Sequence, residues 1–234
     1  NPFLCKNKDP RVVRIRDVRP EIHKWTNMDA LDNRGFMYVK NKSPLSKADY
    51  YDNSIVMNRY YPACADLVKG QTGAAKVIVF DHVLRNKNAA GKLLQGGAPI
   101  QSPVGLCHND YTPASARNRV LQLAAPIDVE RTANTVKEQL LDKEEAEYLL
   151  ATHRFAFINV WRSIGSYPVK DNSLAICDKK SFATGDFSNL KFVYPDRTGE
   201  ISVAKYNPTH KWHYISDLVN DECILLKCYD SAFG

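Results

Sequence analysis

Arg154-Phe-Ala-Phe-Ile-Asn-Val-Trp161 is an almost unbroken apolar run, rich in aromatic and β-branched side chains and free of glycine and proline. Such a run reads as a buried strand. Downstream, Leu174 to Cys177, Leu190 to Tyr194, Ile201 to Tyr206, Trp212 to Ile215 and Cys223 to Cys228 repeat the pattern as short extended pieces separated by turn residues. Short strands at a spacing of about ten residues belong to sandwiches and jelly rolls.

Upstream, Arg11 to Val18 reads as a strand with its arginines outward, and Phe36 to Val39 as another after the turn signal Asn33-Arg-Gly35. Ala75-Lys-Val-Ile-Val-Phe-Asp81 is the strongest strand signal, and Val104 to Asp110 a further strand. Ala48 to Tyr61 reads as a helix ending near Pro62, with a shorter helix over Ala63 to Lys69. Residues 132–152 carry the clearest helical signal: Thr135 and Glu138 fit a capping box, Val136, Leu140 and Leu141 keep helical spacing, and Asp142 and Glu145 offer a restart. Asn86 to Pro99 reads as a loop or lid. The fold class expected is mainly β with helical decorations, in one domain over residues 1–234.

Composition narrows the function classes. Of 234 residues, 44% are hydrophobic and 25% charged, the balance of an ordinary globular chain. No apolar run approaches the roughly 18 residues of a membrane helix, so no membrane partner is expected. The net charge of +6 is spread along the chain, and its densest run, Arg11, Arg14, Arg16 and Arg19, fits an outward strand face better than a nucleic-acid patch. Six cysteines at irregular spacing, with no C-x-x-C pair, read as reduced thiols of a cytoplasmic protein. The opening residues do not read as a signal peptide, and the absence of an initiating Met suggests a trimmed chain.

One pattern carries metal chemistry. His108-Asn-Asp110 places an imidazole and a carboxylate two residues apart at a strand end. Residues i and i+2 of an extended chain share a face, so the two can hold adjacent corners of one metal. With a distant histidine they make the facial triad of non-haem Fe(II) oxygenases. The plain alternative is a hydrogen-bonded strand-end pair. Other chemistries lack their motifs: there is no G-x-S-x-G, Walker loop or G-x-G-x-x-G. Cys107 and His108 are neighbours on a strand, face opposite sides, and make no thiolate–imidazole couple.

The words around His108 are more specific. In order they are Tyr60-Tyr-Pro62, Thr72-Gly-Ala, Val79-Phe-Asp-His-Val-Leu-Arg85, Cys107-His-Asn-Asp-Tyr-Thr112 and Ile158-Asn-Val-Trp-Arg162. Leu174-Ala-Ile-Cys-Asp178, Tyr206-Asn-Pro-Thr-His-Lys-Trp-His-Tyr214 and Leu226-Lys-Cys-Tyr-Asp-Ser231 follow. From about Arg14 to Ser231 this series resembles the AsaB-type hydroxylase/desaturase family, mostly fungal oxygenases grouped with gibberellin desaturase and cephem methoxylase homologues. The resemblance implies a double-stranded β-helix, a cupin-like jelly roll. It implies a dioxygenase that uses Fe(II), 2-oxoglutarate and O2 to hydroxylate, desaturate or cyclise a small organic metabolite in secondary metabolism.

The resemblance also implies site residues. Iron would sit on His108 and Asp110. Arg162 would hold a carboxylate of 2-oxoglutarate or substrate, or else make a structural ion pair. Tyr60, Phe80 and Arg85 would line the cavity, or else be core aromatics and a surface arginine, and Tyr111 would line the pocket edge or point away from the metal. Asn159 and Trp161 would pack and hydrogen-bond. In the family, a His and an Arg-x-Ser follow the Tyr-Asp-Ser word, as distal ligand and 2-oxoglutarate anchor. This sequence stops at Gly234, before them. The chain is therefore expected to lack a C-terminal segment, with the third iron ligand beyond Gly234, unless His210 or His213 closes the triad. The rival readings are a jelly-roll protein that binds a ligand without turnover, and an iron oxidase that does not use 2-oxoglutarate.

Overall fold

The computed structural model describes residues 9–96, 99–127, 136–193 and 198–233. Their strands are β1 (Ile15–Asp17), β2 (Phe36–Lys40), β3 (His108–Asn109), β4 (Ala156–Arg162), β5 (Ile176–Cys177), β6 (Phe187–Val193), β7 (Thr198–Ala204), β8 (Trp212–Tyr214) and β9 (Glu222–Asp230). They form three three-stranded sheets, ordered β1-β8-β5, β2-β9-β4 and β3-β7-β6. All pairings are antiparallel except β1 with β8.

The sheet β2-β9-β4 is covered over most of both faces, which is why its strands read as unbroken apolar runs. Register places Trp161 opposite Ile224, and both Asn159 and Phe36 opposite Leu226. On that face Phe36, Tyr38, Ile224, Trp161 and Leu226 pack with Val18, Trp25, Ile176, Ile215 and Leu218. On the other, Met37, Val39, Cys223, Leu225, Ile158 and Val160 pack with Ala30, Leu31, Leu67 and Val68. Ile224 and Leu225 are almost fully enclosed, each burial being worth about 1.5–3 kcal/mol.

Helices surround the sheets: α1 (Met28–Arg34), α2 (Asn53–Ile55), α3 (Tyr61–Thr72), α4 (Pro113–Leu123) and α5 (Lys143–Thr152). The Asn27 side chain caps the first turn of α1, and Gly35, at φ +88°, ends it in the left-handed region. The turn signal at Asn33-Arg-Gly35 is thus a helix end leading into β2. Thr112 and Ser115 form a capping box on α4, with Pro113 in its first turn.

Several expectations are corrected. Residues 75–81 form no ladder among the described residues. Their alternation is real, though: Val77 packs with the α1–α3 cluster, Val79 with Tyr50 and Tyr61, and Ile78 and Phe80 with Ala116 and Phe157. The period fixed which side chains go inward but not the backbone partner. Pro62 does not end a helix. A π turn over Val56–Tyr60, closed by the Tyr61 N–H on the Val56 carbonyl, joins α2 to α3. The wider turn accommodates the proline ring and its missing donor.

The helix expected over 132–152 starts at Lys143; Leu140 and Leu141 instead donate their backbone N–H groups to the Leu123 carbonyl. Thr135 of the expected capping box, like Cys5, lies outside the described residues. The strands expected over 11–18 and 104–110 shrink to β1 and β3. The loop 86–99 is anchored at Gln95, whose backbone bonds Tyr51 and Asn53, and by buried Leu94. The five described cysteines are free thiols. Among the described residues, no helix is long and apolar enough to cross a membrane.

Candidate metal centre

β3 is a two-residue ladder, His108 opposite Val203 and Asn109 opposite Ser202 on β7. The chain then turns sharply, and one side chain holds the turn. Asn109 Nδ2 donates to the Tyr111 carbonyl at 2.8 Å and to the Cys228 carbonyl of β9 at 2.7 Å. Thr112 caps α4, and its hydroxyl donates to Glu200 Oε1 on β7 at 2.6 Å. Residues 108–112 are therefore fixed to β7 on one side and β9 on the other.

Within this turn His108 Nε2 lies 3.3 Å from Asp110 Oδ1. The far side of the imidazole is fixed as well: Nδ1–H donates to the Leu106 carbonyl at 2.8 Å. A carbonyl on Nδ1 sets the tautomer whose Nε2 lone pair can ligate a metal. Asp110 is held in the same manner, with Asn159 Nδ2 of β4 donating to Oδ2 at 2.5 Å and Cys228 Sγ 3.9 Å from that oxygen. The hydrogen bond to Asp110 raises the His108 pKa against the effect of burial. Burial pushes the Asp110 pKa up, but His108, Asn159 and the Arg85 charge outweigh it and leave the carboxyl below its ordinary value.

A metal's needs can be tested against this arrangement. One imidazole nitrogen and one carboxylate oxygen converge, each oriented through its other heteroatom, the donor chemistry of a hard-to-borderline divalent cation. The residues present fit two corners of such a site. Among the described residues no group of three or more His, Cys, Asp or Glu side chains could hold a metal ion. The third ligand expected beyond Gly234 concerns a stretch outside the described residues, as is Gly234 itself.

A family model described as an oxidoreductase/YMDC permease-like domain matches residues 5–233. Hydroxylase/desaturase CTB9 of Cercospora beticola is 31% identical over 98% of this chain and 68% of its own length. The chain belongs to this hydroxylase/desaturase family. The Fe(II)/2-oxoglutarate-dependent dioxygenase nvfI of Aspergillus novofumigatus is 28% identical, over 96% of this chain and 72% of that protein. A solved structure of the iron and alpha-ketoglutarate-dependent endoperoxidase NvfI matches with a TM-score of 0.74 at 26% identity, covering 94% of this chain and 72% of that one.

Other expected site residues of this hydroxylase/desaturase family member lie elsewhere. Arg162 is on the face of β4 opposite Asn159, because residues three apart on a strand point to opposite sides. Its guanidinium donates to the Tyr60 hydroxyl at 2.9 Å, to the Asn41 and Asn220 carbonyls and to Asn41 Oδ1. Neutral acceptors take its donors, and among the described residues no carboxylate hydrogen-bonds to it. Tyr60 belongs to the same cluster and stands edge-on to Tyr50. His210 does not close a triad: its ring is buried against Phe182, and Nε2 is 2.9 Å from Asp186 Oδ2. His213 is buried against the stacked pair of Trp25 and Phe36.

Tyr111 and Arg85 remain beside the couple. Tyr111 stacks on Phe157 with ring centroids 4.1 Å apart, and Phe80 meets Phe157 edge-on at 5.8 Å. Arg85 Nη1 donates to Gln101 Oε1 at 3.2 Å and to the Ser102 carbonyl at 3.0 Å. Burial lowers the Arg85 pKa, opposed by the charge of Asp110. The supports from Asn109 and Thr112 were not foreseen from sequence. Their signals are faint, an Asn inside H-x-D and a Thr-Pro two residues after it.

Proposed function

We propose that this protein is an Fe(II)/2-oxoglutarate-dependent dioxygenase that oxidises a small organic metabolite by hydroxylation, desaturation or oxidative cyclisation. The observation that carries the reading is the approach of His108 Nε2 to Asp110 Oδ1, 3.3 Å apart, with each side chain pinned from behind. In this reading His108 and Asp110 hold the iron, and the third ligand comes from the segment that follows the Tyr229-Asp-Ser231 word in the family, beyond Gly234 in this numbering. The three sheets are the pieces of a double-stranded β-helix in a single oxygenase domain, and the free cysteines fit a cytoplasmic enzyme. Bound iron, 2-oxoglutarate and O2 supply the oxidising chemistry.

The chain's own residues orient and enclose. Asn109 and Thr112 hold the turn that presents the two donors. Tyr111, Phe157 and Phe80 make an aromatic wall next to Asp110 that suits an apolar carbon skeleton and keeps water out. Arg85, whose hydrogen-bond partners among the described residues are the neutral Gln101 and Ser102, and whose charge Asp110 is near enough to act on, is a guanidinium available to an anionic group of the cosubstrate or substrate.

The test is an anaerobic titration of the full-length protein with Fe(II) and then 2-oxoglutarate. A visible charge-transfer band should grow in the parent protein and be absent from His108→Ala and Asp110→Ala. Absence of the band and of succinate formation in the iron-loaded parent would leave the ligand-binding reading in its place.

A further inference from the structure

β4 is apolar on the face it shares with the Trp25–Phe36 cluster except at one position. Asn159 stands between Phe157 and Trp161, opposite Leu226. Its side chain is exposed, so no need of the core accounts for an amide there, and what the amide faces is Asp110. It donates to Asp110 Oδ2 at 2.5 Å. Asn109 grips the Cys228 carbonyl on the adjacent strand, which brings the Asp110 turn against β4 and β9 together. The carboxylate is thus divided by its surroundings: Oδ2 faces the Asn159 amide and the Cys228 thiol, while Oδ1 faces His108 Nε2.

We propose that Asn159 is a positioning residue that makes Asp110 a one-oxygen metal ligand. This rests on the reading of His108 and Asp110 as the metal couple. The amide engages Oδ2, so Oδ1 alone is directed at the metal beside the imidazole. Each corner not taken by a second carboxylate oxygen stays open to cosubstrate or O2. Without the amide, the carboxylate is free to rotate about its Cβ–Cγ bond and to offer both oxygens. The strand sets where the amide stands: buried Phe157 on one side and half-buried Trp161 on the other hold the backbone of Asn159 in place.

The experiment uses full-length protein with Mn(II) alone as probe, measured by calorimetry, and Co(II) as spectroscopic reporter. Asn159→Leu should weaken Mn(II) binding roughly 10–100-fold, the usual effect of removing an outer-shell partner. The visible d–d bands of its Co(II) form should differ from the parent's, because the carboxylate changes its mode of attachment. Cys228→Ala should stay within about threefold of the parent, a thiol being a weak donor. The apo melting temperature of Asn159→Leu should match the parent's, which separates positioning from a structural role. Mn(II) affinity within threefold of the parent, or an unchanged Co(II) spectrum, would falsify the proposal. Failure of the couple itself has a different signature: Mn(II) affinity unchanged in His108→Ala as well.

Discussion

His213 is 5% exposed, and neither of its ring nitrogens has a protein hydrogen-bond partner. Its ring lies 5.1 Å from Trp25 and 6.2 Å from Phe36, centroid to centroid. Burial lowers its pKa; Asp178, with Oδ2 4.0 Å from Nε2, opposes that shift, while Arg16, Arg34 and Lys211 reinforce it. The folded protein therefore keeps His213 neutral in a pH range where the unfolded chain protonates it. A depressed folded pKa means stability is present above the unfolded value and is lost as pH falls below it. With an unfolded pKa of about 6.5, a lowered folded pKa can cost at most about 1.4 kcal/mol of stability at pH 5.5 and almost nothing at pH 7.5. His213→Phe removes that loss and two unpaired ring nitrogens, worth about 1–3 kcal/mol, against a packing cost of similar size for the larger ring. The pH-dependent part is free of this offset. Urea unfolding of both proteins at the two pH values should show the variant gaining on the parent between pH 7.5 and 5.5, by up to about 1.4 kcal/mol. A stability difference that is the same at both pH values refutes the argument.

Arg162→Leu strips the donors from Asn41, Asn220 and Tyr60, so the apo protein should lose about 3 kcal/mol or more. That corresponds to a melting temperature lower by about 6 °C or more, read by calorimetry; an unchanged melting point combined with weakened ligand binding would restore its anion-binding role. Arg85→Gln should leave the apo melting temperature within about 2 °C of the parent, since its side chain bonds only neutral acceptors on a loop. It should also weaken 2-oxoglutarate or substrate binding about tenfold or more, the effect of losing a charge-assisted hydrogen bond; calorimetry on the Mn(II)-loaded protein measures it, and equal affinities count against the role. His108→Ala and Asp110→Ala should each abolish Fe(II) binding while circular dichroism stays native, because both side chains are only partly buried; retained iron affinity in both would move the site elsewhere.

The approach of His108 to Asp110 was legible because its geometry is local. An i, i+2 pair on an extended chain shares a face whatever the rest of the fold does, and His108 and Asp110 do so. Arg162 misled for the opposite reason. A cation ending an apolar run announces a need for partners, but whether they are ligand oxygens or backbone carbonyls depends on Asn41 and Asn220, which are remote in sequence. His210 kept its place in the motif order, and Asp186, from a different turn, claimed its nitrogen. For the strands, β4 and β9 were read well because most of both faces is covered. Residues 75–81 carry the same apolar alternation without a neighbouring strand, a distinction that hydrophobicity does not encode. Pro62 reads as a breaker under ordinary α geometry, and the π turn removes the conflict.

The double grip of Asn109, on Tyr111 and on Cys228, also sets the order in which the molecule can be built. Cys228 lies 119 residues further along the chain and Asn159 is 49 residues from Asp110. Closing such spans carries its entropy cost before any contact returns it. His108 and Asp110 are chain neighbours from the moment of synthesis, yet their facing geometry waits for β9 to enter its sheet and for β4 to lie beside it. A nascent chain therefore passes most of its folding before these two side chains face each other. Metal arrives as a guest to finished architecture instead of a seed for it, so metal starvation should leave a folded apo enzyme that regains its ion at once when supply returns.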